Sequence, residues 1–467
     1  MEETITSKQA IAQARAAAGA SAAREKLLRL FDDGTFVETG VFVRRNAKMN
    51  DPTAAALEGL VTGYGAVDGA LVYAFAQDGK RLGGAVDENH AAKMEALYHL
   101  ALSNGAPVVG IFDSCGASVY EGVSAMAAYG KIVSCVTEAS GAIPQIAMID
   151  GPCTGVLASI AAMFDFVVST DAASLYVSAP TLTGITDGQD ALLSGKGDTD
   201  NCIAYIKRLL AHLPAVCDAA CDEEICADDP NRAVADADWN TDAAGRAAVL
   251  ADAGDALEIC GAEKSAVRTY LAVVGGVHCG ILASDPTANG GRLTASDARR
   301  AARFVSLCDA YDLPLVTLVD SEGVSVDAAN EPLFSSDLAR LAQAYAQADI
   351  PLVTLLCGRA IGASYVLLGS KAVGADLVYA TPDAEVGILS AEAGVAFAEN
   401  DKVTSPEVRA ELEKKWVEEH SSALCAAAHG EVDDIIDTSE IRARICSALY
   451  MLRGEGPVGK RHTVDLL

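Results

Sequence analysis

Hydrophobic and polar positions alternate in two stretches that lie at equivalent points of the two halves of the chain. Residues 59–78 contain two alternating runs rich in β-branched and aromatic residues, joined across Val67-Asp68-Gly69. The counterpart covers residues 272–283 and turns at Gly275-Gly276. Alternation with a period of two predicts strands, and a tight Asp-Gly or Gly-Gly turn between them predicts a hairpin. The pattern therefore predicts one β-hairpin in each half.

Short apolar runs alternate with longer stretches of helical periodicity after each hairpin. Helices are predicted at 88–103 and 296–311, and each leads through a proline into an apolar strand. A second cycle of helix and strand follows in both halves. Runs of this kind are typical of parallel strands that are buried on both faces of a sheet. The predicted strands are 107–112, 143–149 and 166–168 in the first half, and 314–319, 350–356 and 377–379 in the second.

Three further segments lie outside these cycles. Residues 8–33 are predicted to form one helix that ends at Asp32-Asp33-Gly34. The acidic stretch 182–255 is predicted to be mostly linker, with one helix at 201–213, and the tail 407–453 is predicted to be helical. A chain of 467 residues is long enough for two domains. We place these domains at residues 1–225 and 226–467.

Landmarks of the two halves recur at a constant offset of 207 residues. The matched pairs include Asp78 and Asp285, Gly83-Gly84 and Gly290-Gly291, Asp113-Ser114 and Asp320-Ser321, and Gly155 and Gly362. These residues form turns and strand ends, which is where parallel α/β layers gather their ligands. The duplication therefore predicts two related sites.

Small residues occupy the predicted strand ends, where they let a ligand approach the backbone closely. Free N–H groups at such positions stabilise a developing oxyanion. The seven histidines lie outside these loops, and no Ser-His-Asp order is evident. One isolated glycine turn would favour a purely structural role, but four loops at matched positions favour a functional one. Backbone electrostatics is therefore expected to carry most of the chemistry.

Charge and cysteine content narrow the function classes. The formal net charge of −29 disfavours binding to nucleic acid, and the longest uncharged apolar stretch, 155–164, is too short to span a membrane. The thirteen cysteines lack Cys-x-x-Cys pairs, so we expect no metal site and a reducing environment. The opening segment lacks the apolar core of a signal peptide. We therefore expect a cytoplasmic protein.

Several motifs, distributed over nearly the whole chain, form a set that resembles one known family. They are the segment 23–38, Val61-Thr62-Gly63-Tyr64-Gly65, Phe75-Ala76-Gln77-Asp78, Gly141-Ala142-Ile143-Pro144-Gln145, Gly151-Pro152-Cys153, Ala301-Ala302-Arg303-Phe304 and Asp433-Asp434-Ile435-Ile436-Asp437. The set resembles the acyl-CoA carboxyltransferases, the β-subunit type of biotin-dependent carboxylases and related decarboxylases. The resemblance implies an α/β fold with tandem crotonase-like (ββα-spiral) domains.

The resemblance also implies a function and its partners. The chain would move a carboxyl group between biotin on a separate carrier protein and a short-chain acyl-CoA, with the propionyl-CoA and methylmalonyl-CoA type favoured. Acyl-CoA would bind the N-terminal domain, and biotin would bind the C-terminal domain of a neighbouring subunit. The implied partners are acyl-CoA, a biotin carboxyl carrier protein and further copies of this chain in a dimer or hexamer, with a membrane decarboxylase complex left open. The biotin nitrogen can take the α-proton itself, so no protein base is required.

Site residues follow from the same motifs. Gly116, Ala117, Gly155 and Val156 would surround the thioester oxygen, whereas Gly323, Gly362 and Ala363 would surround the ureido oxygen of biotin. The residues assigned to CoA or biotin binding are Lys80, Arg81, Gly83, Gly84, Cys115, Glu322 and Ser364. Lys80 and Arg81 could meet CoA phosphates, and an exposed turn with solvated charges is an equally open interpretation.

The chain departs from the family's motifs in three loops. Where the family usually has Ser-Gly-Gly-Ala-Arg, this chain has Ser114-Cys115-Gly116-Ala117-Ser118. Where the family has Tyr-Gly-Gly-Ala-Tyr, this chain has Ile361-Gly362-Ala363-Ser364-Tyr365. A loop like Pro-Gly-Phe-Leu-Pro-Gly is replaced by Ser321-Glu322-Gly323-Val324-Ser325. Glu322 is either a solvated loop charge or an acid/base group. One alternative is therefore a biotin-independent crotonase-type hydratase, isomerase or decarboxylase that uses Glu322 or Glu121. Another is a non-catalytic paralogue that pairs with an active subunit.

One further motif is similar to a biotin attachment sequence. Ala91-Ala92-Lys93-Met94 has the order of residues found at such sites, but attachment requires a hairpin tip. Lys93 lies inside a predicted helix. We therefore expect that this chain does not carry biotin itself.

Overall fold

The structure, a computed structural model, describes residues 7–19, 21–45, 57–178, 183, 193–215, 226, 228–259, 265–325 and 331–453. The chain divides into two compact units, residues 1–220 with 259–262 and residues 221–258 with 263–467. Each unit is built around a mixed sheet with eight described strands. Within the described ranges, no helix is both long enough and apolar enough to cross a membrane.

The first unit contains the following described elements. Its strands are β1 (Val37–Thr39), β2 (Leu60–Val67), β3 (Ala70–Gln77), β4 (Val108–Ser114), β5 (Gln145–Thr154), β6 (Phe166–Thr170), β7 (Ser174–Tyr176) and β8 (Gly195–Gly197). Its helices are α1 (Ser7–Gly19), α2 (Ala22–Leu30), α3 (Glu88–Asn104), α4 (Val123–Ala139), α5 (Val156–Ala161) and α6 (Thr199–Ala211). The strand order is β1-β2-β3-β4-β5-β6-β8, with β7 beside β5.

The remaining described elements are numbered in the same way. The strands are β9 (Ala256–Ile259), β10 (Val267–Val274), β11 (Val277–Ser284), β12 (Arg292–Leu293), β13 (Leu315–Ser321), β14 (Gly323–Val324), β15 (Leu352–Ile361), β16 (Leu377–Ala380), β17 (Glu385–Gly387) and β18 (Asp434–Ile435). The helices are α7 (Asp236–Trp239), α8 (Ala243–Leu250), α9 (Ala295–Ala310), α10 (Glu331–Gln347), α11 (Ala363–Leu367), α12 (Ala391–Ala398), α13 (Pro406–Trp416), α14 (Ala423–Ala428) and α15 (Ile441–Leu452). The sheet order is β18-β16-β15-β13-β11-β10-β9, with β17 beside β15.

Both predicted hairpins are confirmed. β2 pairs antiparallel with β3, and β10 pairs antiparallel with β11. The turn of the first hairpin places Asp68 at φ +48° and Gly69 at φ +83°, while Gly275 and Gly276 turn the second at +61° and +80°. Two consecutive residues in the left-handed region match the twist of the flanking strands, which explains the Asp-Gly and Gly-Gly choices.

Parallel strands follow each hairpin, as predicted. β3, β4, β5 and β6 pair in parallel, and β11, β13, β15 and β16 do the same. Five consecutive residues of β4, from Val108 to Phe112, are buried, and so are the first five residues of β13. A sheet covered on both faces requires such continuous apolar runs, so the pattern specified these strands directly.

The 207-residue offset is constant only through part of each unit. β2 and β10 begin at 60 and 267, and β5 and β15 begin at 145 and 352. β6 and β16 begin at 166 and 377, so the offset has grown to 211. A 3₁₀ turn at Lys371–Val373 accompanies the four additional residues. The offset therefore holds for the strands and turns that end at the predicted sites and is lost immediately beyond them.

Three predictions about the flanking segments were wrong in part. Residues 8–33 form two helices, because the Ser21 hydroxyl accepts a hydrogen bond from the Arg24 N–H at 3.4 Å and starts α2 anew. The stretch expected to be linker contains α7 and α8, whose Trp239, Ala247 and Leu250 are buried. The tail includes β18 and a π-helical turn at Val417–Ser421 besides its helices. Alanine-rich helices in acidic sequence carry little periodic signal, which explains the missed pair.

Candidate functional site

Three loops of the first unit lie together where β4 and β5 end. The Cys115 N–H donates to the Gly83 carbonyl at 2.8 Å, which joins the loop after β4 to the Gly83-Gly84 turn. Thr154 Oγ1 donates to the Cys115 carbonyl at 3.3 Å, which joins the end of β5 to the same loop. A Cβ atom at Gly84 would lie 2.2 Å from the Asp113 carbonyl oxygen, so this close approach requires glycine. The structure thus brings the predicted residues of the first site together.

The N–H groups of two predicted glycines are already engaged. The Gly116 N–H donates to Ser114 Oγ at 3.1 Å, and the Gly155 N–H donates to the Tyr176 carbonyl at 3.1 Å. Both glycines have positive φ values, +114° for Gly116 and +65° for Gly155. Their part in the site is therefore to permit the turn and not to supply its donors.

The geometry leaves the neighbouring residues as donors. Val86 N–H donates to the Gly116 carbonyl, and Ser118 N–H donates to the Val86 carbonyl. Because successive residues of an extended segment face opposite sides, the N–H of Ala117 points away from Val86. Val156 is the first residue of α5, so its N–H has no acceptor within the helix. Ala117 and Val156 are the donors that this arrangement presents.

The second unit repeats these contacts. The Gly323 N–H donates to Ser321 Oγ at 3.4 Å, and the Gly362 N–H donates to the Gly387 carbonyl at 2.8 Å. Their φ values are +104° and +58°, close to those in the first unit. Ala363 begins α11, as Val156 begins α5. Ser364 is buried, and its hydroxyl lies 3.2 Å from the Ser321 carbonyl, so it ties α11 to the end of β13.

A carboxylate with a cationic partner lies beneath each set of loops. Asp113 Oδ2 is 3.9 Å from Lys26 Nζ, and Asp320 Oδ2 accepts from both terminal nitrogens of Arg246 at 3.0 Å. Burial raises the pKa of Asp113, and the Lys26 ammonium opposes that shift. The sequence repeat identified both aspartates but neither cation, because Lys26 and Arg246 do not occupy equivalent positions.

Glu322 borders a cavity of about 350 Å³ in the second unit. The cavity is lined by Pro286, Gly290, Gly291, Asp320, Glu322, Gly358, Arg359, Asp383 and Glu385. Arg359 forms an ion pair with Glu322, and it lies 3.6 Å from both Glu385 and Glu392. Glu322 is therefore not simply a solvated loop charge, because Arg359 engages it, and its role as an acid/base group stays a prediction. The missed residue is Arg359, which stands 37 positions away in the chain.

The other predicted binding residues have ordinary surroundings. Lys80 is exposed beside the Gly83-Gly84 turn. Arg81 Nε lies 3.3 Å from Asp78 Oδ2, so its charge is shared with a carboxylate of the same turn. Glu121 Oε2 accepts from the Glu88 N–H at 2.9 Å and thereby supports the start of α3. Cys115 is the exposed member of the described cysteines, and it faces Gly83.

Comparisons with known proteins extend over nearly the whole chain. Residues 14–456 match the family model for the carboxyl transferase domain. The chain is similar to the methylmalonyl-CoA decarboxylase subunit alpha of Veillonella parvula, with 34% identity over 480 residues that cover 96% of this chain and 93% of the relative. It is also similar to the propionyl-CoA carboxylase beta chain of Roseobacter denitrificans, with 32% identity over 469 residues that cover 94% and 91% of the two chains.

A solved structure matches the whole fold. The crystal structure of transcarboxylase 12S, described as a hexamer with methylmalonyl-coenzyme A and methylmalonic acid bound, superimposes with a TM-score of 0.88 at 28% identity. The match covers 98% of this chain and 97% of the other. The expected fold of two crotonase-like α/β domains is thereby confirmed.

Proposed function

The chain belongs to the carboxyl transferase family and is an acyl-CoA carboxyltransferase, and we propose that it moves a carboxyl group between propionyl-CoA or methylmalonyl-CoA and biotin on a separate carrier protein. The observation that carries this proposal is the pair of matched loop sets, one in each unit. The choice of acyl group rests on the relatives, whose names specify propionyl-CoA and methylmalonyl-CoA.

The first unit supplies donors suited to a thioester. The N–H groups of Ala117 and Val156 would donate to the thioester oxygen as negative charge develops on it in the enolate. Donors that are already oriented in a site stabilise such charge more than water does, because they need no reorganisation. Gly116 and Gly155 hold the turns that aim these donors. The exposed side chain of Lys80 is available to a CoA phosphate at the rim.

The residues of the second unit fit a flat, neutral ureido group. A Cβ atom at Gly323 would lie 3.4 Å from the Ile361 carbonyl oxygen, and one at Gly362 would lie 3.3 Å from the Ile388 carbonyl oxygen, so the glycines leave a narrow cradle. The Ala363 N–H would donate to the ureido oxygen there. Biotin, when its carrier presents it, supplies the nitrogen that holds the carboxyl group. Arg359 and Glu322 would border the entrance to this cradle.

The proposed partners and location follow from the same relatives and from the cysteines. A carrier protein with biotin and a homo-oligomer of this chain are proposed, and the hexamer described for transcarboxylase 12S supports the latter. The ten described cysteines are free, which is typical of a reducing compartment and supports a cytoplasmic location. Light scattering that gave a monomer at assay concentration would contradict the oligomer.

The test is transfer of a labelled carboxyl group. The purified chain is incubated with methylmalonyl-CoA labelled in its free carboxyl group and with free biotin or a biotinylated carrier domain. We expect label in biotin and an equal amount of propionyl-CoA. No transfer from methylmalonyl, malonyl or glutaconyl thioesters to either acceptor would reject the proposal.

The second candidate function, a biotin-independent reaction that uses Glu322, is tested by the same assay. Because Arg359 neutralises Glu322, we expect Glu322→Gln to reduce transfer by less than about tenfold and to produce no biotin-independent activity. A thioester reaction that proceeds without biotin and disappears in Glu322→Gln would favour the rival. A non-catalytic paralogue would instead show no acyl-CoA binding by calorimetry and no transfer.

A further inference from the structure

A buried guanidinium holds the last residue of the loop that presents Ala117. Arg45 Nη2 donates to Ser118 Oγ at 2.7 Å, and Arg45 Nε donates to Asp87 Oδ2 at 2.9 Å. The side chains of Arg45 and Asp87 are 4% and 0% exposed, and Ser118 is 3% exposed. The side chain of Arg45 thus joins two separate backbone segments deep inside the first unit.

These two segments are the ones that set the direction of the Ala117 N–H. Asp87 follows Val86, whose N–H and carbonyl bond to Gly116 and Ser118 on either side of Ala117. Asp87 is itself fixed, because its Oδ1 accepts from the His90 N–H at 2.8 Å at the start of α3. Any displacement of Ser118 relative to Asp87 would therefore rotate the peptide that carries the donor.

A second buried chain of contacts anchors the other end of the same loop. Glu58 Oε1 lies 3.2 Å from His90 Nδ1, and His90 Nε2 lies 3.3 Å from Gln77 Nε2. Gln77 Oε1 accepts from the Asp113 N–H at 3.1 Å, at the end of β4. The amide of Gln77 donates to His90 Nε2, which assigns the ring proton to Nδ1 and directs it to Glu58. The loop between Asp113 and Ser118 is thus supported at both ends.

The second unit uses different side chains at the equivalent positions. Ser265, Thr294 and Asp297 stand 207 residues after Glu58, Asp87 and His90. Ser265 Oγ donates to Asp297 Oδ1 at 2.6 Å, and Thr294 Oγ1 donates to Asp297 Oδ2 at 2.6 Å. The Arg300 guanidinium of the same unit donates to Ser265 Oγ and lies 3.5 Å from Asp297. The two units share their loop geometry but not the polar layer beneath it. Arg300 bonds to Ser265 and Asp297 within this layer, whereas Arg45 bonds to Ser118 at the end of the loop.

On the basis of the proposed function, we propose that Arg45 is a positioning residue of the acyl-CoA site. Its guanidinium holds the Ser118 hydroxyl against Asp87 and so keeps the Ala117 N–H aimed at the thioester oxygen. Arg45 stands 73 positions before Ser118, so the contact joins parts of the chain that are distant in sequence. A loop that lost this support would still bind CoA but would stabilise the enolate less.

The test compares variants that separate positioning from folding. Arg45→Lys keeps the charge, but a single ammonium cannot reproduce the two divergent contacts. Because a donor misplaced by about 1 Å costs on the order of a hundredfold in rate, we expect kcat per binding-competent site to fall about 10- to 100-fold. Acyl-CoA affinity by calorimetry should change less than about threefold, because the loss falls on the transition state.

An infrared measurement reports the positioning directly. The carbonyl stretch of acyl-CoA labelled with ¹³C in the thioester should move to lower frequency on binding to the native chain. We expect Arg45→Lys and Ser118→Ala to lose at least half of this shift. Ser118→Thr keeps the hydroxyl and should retain the shift. The serine variants remove no charge, so they carry the test if Arg45→Lys does not fold.

The matched control is Arg442→Lys in the second unit. Arg442 is fully buried and lies 2.6 Å from Asp252, so this variant loosens an arginine–aspartate pair away from the described loops. We expect a lower melting temperature with the carbonyl shift unchanged and kcat per site within twofold. An unchanged carbonyl shift and an unchanged kcat in both Arg45→Lys and Ser118→Ala would overturn the inference. Absence of transfer by the native chain would instead reject the proposed function.

Discussion

Replacing Val156 with proline removes one candidate donor and very little else. Val156 is the first residue of α5, a position at which proline is tolerated because its N–H has no acceptor within the helix. Gly155, at φ +65° and ψ −134°, has no Cβ to collide with the proline ring. The Val156 side chain is 41% exposed, so little apolar burial is lost. The substitution therefore isolates the contribution of a single N–H group.

The expected size of the effect follows from the charge that this N–H would meet. Removing one preorganised oxyanion donor costs about 10²- to 10³-fold in kcat, or roughly 3–4 kcal/mol of transition-state stabilisation. We expect Val156→Pro to lose carboxyl transfer by this factor while acyl-CoA affinity, measured by calorimetry, stays within about threefold. Ala363→Pro should give a similar loss through the second unit.

Two controls complete the assay of labelled carboxyl transfer. Val156→Ala keeps the N–H and should retain activity within about threefold. Ala22→Pro places proline at the first position of α2, after the Ser21 cap, and should leave activity within twofold. Val156→Pro with native melting temperature, native acyl-CoA affinity and nearly native kcat would refute the assignment of this N–H to the oxyanion.

Three further predictions concern the same loops and their support. Gly155→Ala should cost about 1–3 kcal/mol of unfolding free energy through its sparsely populated positive-φ backbone alone, since no atom lies within 4 Å of the new Cβ. Gly84→Ala should cost clearly more, because its Cβ would lie 2.2 Å from the Asp113 carbonyl oxygen, and equal losses in urea melts would contradict this. Burial lowers the pKa of Lys93 to about 8. Between about pH 8 and the ordinary pKa of lysine, the unfolded chain binds more protons than the folded chain, so the native chain becomes more stable as the pH rises. The advantage of Lys93→Met in free energy of unfolding over the native chain should therefore shrink by about 2 kcal/mol from pH 7 to pH 9.5. A difference that did not change with pH would contradict this prediction. Cys115 is exposed, whereas burial raises the pKa of Cys153 to about 12 and of Cys202 to about 11. Iodoacetamide at pH 7.5 should therefore label Cys115 before the other two, and acyl-CoA should protect Cys115 from labelling. Equal labelling with and without acyl-CoA, measured by mass spectrometry, would place Cys115 outside the site.

Local pattern was sufficient for the parts of the fold that repeat. The alternation around Asp68-Gly69 and the apolar runs after Pro107 and Pro314 correspond to hairpins and buried strands. Their signals are local because backbone conformation at a tight turn and burial on both faces constrain each residue directly. The break at Ser21 was missed because a serine cap followed by helical sequence does not interrupt the apolar periodicity that preceded it.

Site chemistry was only partly predictable, because it depends on partners from distant strands. Gly155 and Gly362 were correctly singled out as landmarks, but their N–H groups bond to the carbonyls of Tyr176 and Gly387. No pattern within the loops indicates those acceptors. The same reasoning applies to Glu322, whose charge is compensated by Arg359 from the end of another strand. The identity of a loop residue determines its conformational freedom, whereas its neighbours in the sheet determine which of its N–H and C=O groups are left without a hydrogen bond.

The two units show which part of a duplicated site is constrained and which part can diverge. Ser114 and Ser321 accept from Gly116 and Gly323 in the same way, so the backbone that presents the donors is maintained by a local contact. Beneath it, a histidine and a glutamate in one unit are replaced by an aspartate and a serine in the other. An N–H donor has the same chemistry toward a thioester and a ureido oxygen, so only the surroundings can make the two sites differ. Under the proposed function, the difference in ligand would have to arise from residues such as Cys115, Glu322 and Arg45, which surround or support the loops without changing their path.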